Sequence, residues 1–101
     1  MPYVFNTSFY VHPMRRVEWM AWIENCIDGV AKSLGFDDER FKMYEVVSES
    51  PDGYLIFSLQ WSCKDITGVG DVDEEMSSFL KKIYEVFGEE VTHFSSIMKR
   101  V

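Results

Sequence analysis

The sequence has few cysteines, glycines and prolines. Its 101 residues include two cysteines, Cys26 and Cys63, and neither belongs to a C-x-x-C pair, so no zinc site or redox motif is indicated. We expect both to be free thiols. Glycine and proline are limited to six and three residues, and no Gly/Ser/Pro-rich segment offers a linker. The chain is therefore expected to form a single ordered domain, residues 1–101, around a hydrophobic core.

Basic residues and long apolar runs are also scarce. Ten Lys plus Arg against seventeen Asp plus Glu give a formal net charge of −7. This charge repels phosphate groups and anionic lipids, so neither nucleic acid nor a membrane is an expected partner. No apolar run approaches the roughly 18 residues of a membrane span, and the first residues lack the features of a signal peptide. The expected compartment is the cytoplasm.

The most regular pattern lies between Tyr54 and Cys63, where large apolar residues alternate with mixed ones. One row is Leu55, Phe57, Leu59, Trp61 and Cys63, and the other is Tyr54, Ile56, Ser58, Gln60 and Ser62. Because strand side chains alternate between faces, the first row is predicted to be buried. The preceding segment Phe41 to Ser48 is a second predicted strand at a sheet edge, joined through the turn Ser50-Pro51-Asp52-Gly53.

The two ends of the chain also have strand patterns. Tyr3 to His12 and Glu90 to Lys99 alternate and carry β-branched and aromatic residues, so each is predicted to be a strand. Between the first strand and the hairpin, apolar residues recur at helical spacing and predict a helix from about Met14 to Leu34, ending at Gly35.

A second helix is predicted after the hairpin. Asp71 with Glu74 resembles a capping box, so the helix is expected to begin at Asp71 and to stop at Gly88. The segment Lys64 to Gly70 contains two glycines and is predicted to be a loop.

The resulting order is β-α-β-β-α-β, which is typical of an α+β, ferredoxin-like fold. A four-stranded antiparallel sheet would carry both helices on one face, with the first and third strands in its centre. The other face would be uncovered, and small domains commonly cover such a face by pairing two sheets. The expected partner is thus a second copy of the chain. The candidate dimer interface comprises Tyr10, His12, Tyr54, Ile56, Ser58 and Gln60.

Four segments carry a resemblance to a known family: Asn6 to Val11, Glu18 to Trp22, Phe57 to Trp61 and Thr92 to Ile97. They resemble a small bacterial family, a domain of unknown function related to the dimeric α+β barrel group. The resemblance implies a ferredoxin-like protomer that pairs sheet to sheet, and it brings no established activity. The uncovered aromatic and polar sheet face, together with the lack of any catalytic constellation, favours a homodimeric, non-catalytic binding or interaction module.

A more distant resemblance is to cofactor-independent monooxygenases and haem-degrading enzymes of the same barrel group. Asn6 and Trp61 look similar in placement to residues that flank the pocket of those enzymes. Together with Trp22 they form a candidate pocket between helix and sheet for a small apolar aromatic ligand, in a monooxygenase-like or isomerase-like enzyme. The second predicted helix contains no His, so haem is not expected, and no other cofactor is indicated.

Other reactive residues have structural explanations. His12 and His93 lie singly at or within strands, and such histidines are usually structural. Four acidic residues could hold a hard cation, but they suit the positive end of a helix dipole and lack EF-hand spacing, so no metal is expected: Asp71, Asp73, Glu74 and Glu75.

Overall fold

The computed structural model describes residues 1–37, 39–47 and 50–101. These residues form a four-stranded antiparallel sheet with two helices on one face. Its elements are β1 (Tyr3–Val11), α1 (Arg16–Leu34), β2 (Phe41–Val46), β3 (Leu55–Cys63), α2 (Ile66–Phe87) and β4 (Val91–Lys99). The strand order is β2-β3-β1-β4, so β1 and β3 are central as predicted. The predicted end of the second strand at Ser48 lies outside the described residues.

The core lies between the helices and one face of the sheet. Trp19 of α1 is fully buried, and its ring centroid lies 4.9 Å from that of Phe9, 6.0 Å from that of Phe57 and 5.8 Å from that of Phe87. It thereby packs against β1, β3 and α2 at once. The alternation in β3 predicted the buried row correctly, although its first residue, Leu55, is only half-buried.

Helix α1 begins and ends through local hydrogen bonds. A 3-10 turn over Pro13–Arg15 precedes the helix, and its Met14 N–H donates to Nδ1 of His12 at 3.1 Å. The helix proper therefore begins at Arg16, slightly after the predicted start. Gly35 ends it in the left-handed region at φ 71°, where a residue without Cβ is unstrained.

Helix α2 begins earlier than predicted, and the predicted loop over Lys64 to Gly70 is wrong. The carboxylate of Asp65 accepts a hydrogen bond from the Gly68 N–H at 2.8 Å, which caps the helix so that Ile66 is its first residue. The extra turn also buries Val69, which is 4% exposed. A cap and one buried side chain thus offset the low helix propensity of the two glycines.

Backbone hydrogen bonds join neighbouring strands at their ends. The β2–β3 turn has a hydrogen bond from the Gly53 N–H to the Ser50 carbonyl at 3.0 Å, with Gly53 at φ 78°. At one end of the β1–β4 pair, the Arg100 N–H donates to the Pro2 carbonyl at 2.7 Å. The two ends of the chain consequently lie side by side.

Candidate functional site

The face of the sheet opposite the helices has no cover among the described residues, and we call it the open face. The registers pair even-numbered with even-numbered residues throughout, and the odd-numbered rows of β1 and β3 form the core, so the open face carries the even-numbered positions. These are Val4, Asn6, Ser8, Tyr10, Lys42, Tyr44, Val46, Ile56, Ser58, Gln60, Ser62, Thr92, Phe94, Ser96 and Met98. None of them is Asp or Glu, and Lys42 is the one charged residue in this set.

The centre of the open face is a connected group of amide and hydroxyl side chains. Ser58 Oγ donates to Asn6 Oδ1 across the central strand pair at 2.6 Å, and Gln60 Nε2 donates to Ser58 Oγ at 3.4 Å. Asn6 Nδ2 donates to Ser8 Oγ at 3.3 Å. Ser58 is only 9% exposed, so the flanking side chains already exclude much of the water from this group.

The periphery of the open face is apolar and aromatic. On the edge strands Phe94 is 64% exposed, Tyr44 49% and Met98 44%. At one end of the face, the rings of His12 and Tyr54 meet edge to face, with centroids 5.4 Å apart. The face therefore combines a polar centre with a broad rim of exposed apolar surface.

The six residues of the candidate dimer interface are brought together by the structure. Tyr10 and Ile56 are direct cross-strand partners on the open face, as are Asn6 and Gln60. His12 and Tyr54 continue the same face just beyond the ends of β1 and β3. The contributions of β2 and β4 to this face were not predicted, because they depend on pairing registers that the alternation within one strand does not give.

The candidate ligand pocket of Asn6, Trp22 and Trp61 is corrected by the structure. Asn6 lies on the open face, whereas Trp61 is fully buried on the helix side, with its ring 5.0 Å from that of Phe41. Trp22 lies between the helices, with its ring centroid 5.3 Å from that of Phe79. Because strand side chains alternate between faces, residues 6 and 61 cannot share a cavity, and the three side chains line no common pocket.

A different groove lies between α1 and the β2 edge of the sheet. It has a volume of about 250 Å³, and its walls include Met20, Ile27 and Met43, with Glu24 and Glu45 also in its lining. None of the three predicted pocket residues lines it.

Some titratable side chains that could carry chemistry are engaged in structural contacts. His12 caps the turn before α1, and His93 lies exposed on the outer strand β4. Cys63 is fully buried, and this burial raises the pKa of its thiol, with a smaller upward contribution from Asp65 and an opposing one from Arg40. Within residues 1–37, 39–47 and 50–101, no three His, Cys, Asp or Glu side chains are arranged to hold a metal ion.

This arrangement of one four-stranded sheet and two helices defines a protein of the ferredoxin-like class. The fold is similar to the crystal structure of a dimeric ferredoxin-like protein from an uncultured marine organism, with a TM-score of 0.56 and 13% identity, covering 100% of this chain and 97% of that one. The chain belongs to the domain of unknown function DUF4286, which it matches over residues 2–101.

A curated relative is much longer than this chain. The chain is 24% identical over 95 residues to the uncharacterized protein R327 of Acanthamoeba polyphaga mimivirus, a match that covers 94% of this chain and 6% of that protein. The chain thus spans a small fraction of the length of that relative. In the part of the chain that the structure describes, neither helix has the length and apolar character needed to span a bilayer.

Proposed function

We propose that this chain is a non-catalytic interaction module that forms a homodimer through the open face. The observation that carries the proposal is the composition of that face. It has a hydrogen-bonded polar centre, an apolar and aromatic rim and no carboxylate, in a chain with seventeen Asp and Glu residues. Tyr, Phe and Met are enriched in the buried parts of interfaces, whereas Asp and Glu are depleted there.

Charge favours this face over the other surfaces of the molecule. Each copy carries a net charge of −7, so two copies repel each other wherever carboxylates would be brought together. The positions of the open face bring no carboxylates together, because Lys42 is the one charged residue among them. Two copies can therefore meet through their open faces without bringing carboxylates together, whereas carboxylates elsewhere on the surface oppose association.

The size of the face also suits a stable dimer. Strands about 4.8 Å apart with a rise of about 3.4 Å per residue give a four-stranded sheet of this length roughly 19 Å by 30 Å in projection. The accessible surface of side chains exceeds the projected area, and a standard interface buries about 800 Å² on each partner.

The similar solved structure supports the proposal, since its description calls that protein dimeric and ferredoxin-like. The enzyme interpretation loses its geometric basis, because it required a shared pocket of Asn6, Trp22 and Trp61. The proposal therefore assigns the polar centre of the open face to contacts between copies and not to a reaction.

Light scattering coupled to size exclusion at micromolar concentration tests the proposal. The variant Ile56→Glu places a carboxylate on the open face beside Tyr10, and we expect it to halve the mass of the wild-type assembly. The matched control is Ile66→Glu, because Ile66 is 63% exposed at the start of α2 and lies away from the sheet. A monomeric wild type, or a mass unchanged by Ile56→Glu in a folded variant, would contradict the proposal.

A further inference from the structure

The outer edge of β4 lacks the features that normally keep sheet edges apart. The strand has nine residues and forms one edge of the sheet. From Val91 to Met98 it contains no Asp, Glu, Lys, Arg or Pro. Edge strands in natural proteins are usually short, charged, interrupted by proline or bulges, or covered, because exposed backbone groups recruit further strands.

The opposite edge of the sheet does have such features. β2 is six residues long and carries Lys42 and Glu45. Arg16 of α1 reaches across to Glu45, with Nη2 2.7 Å from Oε1, so a charged side chain from the helix lies beside this edge. Charged side chains of a helix also lie near the β4 edge, since Lys81 and Glu85 of α2 line a groove together with His93. The two edges therefore differ in the length and charge of the strands themselves.

The free backbone groups of β4 follow from its pairing with β1. The Arg100 N–H donates to the Pro2 carbonyl and the His12 N–H donates to the Glu90 carbonyl, with a continuous register between them. Hydrogen-bonded pairs alternate along an antiparallel ladder, so the even-numbered residues of β4 bond to β1. From His93 to Lys99, the N–H and C=O groups of the odd-numbered residues point away from the sheet, and no described residue bonds to them. These residues are His93, Ser95, Ile97 and Lys99.

Apolar side chains accompany these free groups on both sides of the strand. Phe94 and Met98 are exposed on the open face, and Ile97 is 57% exposed on the helix side. A neighbouring strand would satisfy the backbone groups and cover apolar side chains above and below the sheet. This combination characterises surfaces that bind by strand addition.

We propose that β4 pairs in antiparallel fashion with β4 of a second copy, so that two sheets become one continuous eight-stranded sheet. A two-fold axis near Ser95, the middle residue of the strand, would bring two equal lengths of uncharged strand together. The outward backbone groups of Ser95 would then lie in the central hydrogen-bonded pair. A second copy fits because neither β4 brings a carboxylate to the contact, although each chain carries a charge of −7.

This edge pairing goes beyond the proposed pairing of open faces and uses a different surface. The two open faces would join across the new β4–β4 junction into one larger face that still needs a cover. Face-to-face packing of two such pairs would supply that cover. The two interfaces together would give a tetramer with two kinds of two-fold contact.

Two variants remove the edge contact by different means. Ile97→Pro deletes an outward N–H at a position where an edge strand tolerates proline. The double variant His93→Lys/Ile97→Lys keeps every backbone donor and leaves the open face unchanged, and it brings repelling charges together across a two-fold axis at Ser95, so it decides the question if the proline variant does not fold. Ile66→Lys is the control, because Ile66 is exposed to 63%, comparable with 57% for Ile97.

Mass measurement by light scattering separates this proposal from the pairing of open faces. We expect a wild-type tetramer, dimers for either edge variant and for Ile56→Glu, and monomers when an edge variant is combined with Ile56→Glu. An unchanged mass in both edge variants overturns the edge proposal and leaves the face proposal intact. If the wild type is a dimer and Ile56→Glu dissociates it, the edge proposal is likewise overturned and the face proposal is supported. A wild-type dimer that only the edge variants dissociate supports edge pairing and overturns face pairing, and a wild-type monomer overturns both.

Discussion

Arg16 on α1 and Glu45 on β2 form a two-pronged ion pair, with Nη1 2.9 Å from Oε2 and Nη2 2.7 Å from Oε1. The hydrogen bonds from Arg16 lower the pKa of Glu45 below its ordinary value, against a smaller opposing effect of burial. A carboxylate with a lowered pKa in the folded state stabilises the fold above its unfolded pKa, and the contribution is lost as the pH falls through the folded pKa.

The variant Glu45→Gln should therefore lower the thermal midpoint at neutral pH. The difference from wild type should begin to shrink at about pH 4, the ordinary range of a Glu pKa, and should disappear below the lowered pKa of Glu45 in the folded state. We expect a small effect that salt reduces, because the side chains of Arg16 and Glu45 are 44% and 38% exposed. Differential scanning calorimetry across pH measures it. Glu85→Gln is the control, since Glu85 makes no ion pair among the described residues, and an equal loss in both variants would contradict the prediction.

The start of α2 gives a second prediction. Asp65→Ala removes the side chain that caps the helix and should cost about 1 kcal/mol in the free energy of unfolding. Asp71→Ala lies in the helix interior, where no cap is lost, and should change the free energy of unfolding by less than about 0.5 kcal/mol. Urea denaturation of both variants measures the difference. A larger loss of stability for Asp71→Ala than for Asp65→Ala would indicate that α2 begins at Asp71, as the capping-box pattern predicted, and would contradict the observed start.

This helix start shows what local sequence signals can and cannot provide. The pattern Asp71-x-x-Glu74 is a sound signature, but Gly68 and Gly70 led to a loop prediction for the segment in which α2 begins. The deciding contribution is the burial of Val69 in the core, which is a tertiary contact. The strand alternation was more informative, because its period of two assigns each side chain to a face without knowledge of the partner strands.

The same period also limits what could be predicted of the candidate site. The predicted rows already place Asn6 on one face with Tyr10 and Trp61 in the buried row, and the pairing of Asn6 with Gln60 shows that these two rows lie on opposite faces of the sheet. The register also brings Tyr44 and Phe94 to the open face, where each lies opposite a serine of a central strand. Trp22 could not be placed from helical spacing, because its position depends on how α1 packs against α2.

The two thiols should differ strongly in reactivity. Cys63 is fully buried and burial raises the pKa of its thiol, whereas Cys26 is half-buried on α1. Because the thiolate is the reactive form, a disulfide reagent at pH 8 should label Cys26 in the native protein and Cys63 only after unfolding. In the variant Cys26→Ser, native labelling should be lost. Prompt labelling of that variant would show that Cys63 is accessible and would contradict its place in the core.

Two glycines of the first helix should respond to alanine in opposite ways. Gly29 lies inside α1 with no atom within 4 Å of an added Cβ, so Gly29→Ala should stabilise the fold by about 0.5–1 kcal/mol. Gly35 has equal space but lies at φ 71°, so Gly35→Ala should cost about 1 kcal/mol or more. Chemical denaturation checks both. A gain at Gly35 would be incompatible with a left-handed end of the helix.

The hydrogen bond between the Arg100 N–H and the Pro2 carbonyl makes the fold suitable for circular permutation. A short linker can join residue 101 to residue 1 without moving β1 or β4, and new ends can be opened in the Ser50–Gly53 turn. The permuted chain would run β3-α2-β4-β1-α1-β2 and keep the same sheet order. Its β1 and β4 would become a local hairpin, so the β1–β4 pairing that now joins the two ends of the chain would form between sequence neighbours.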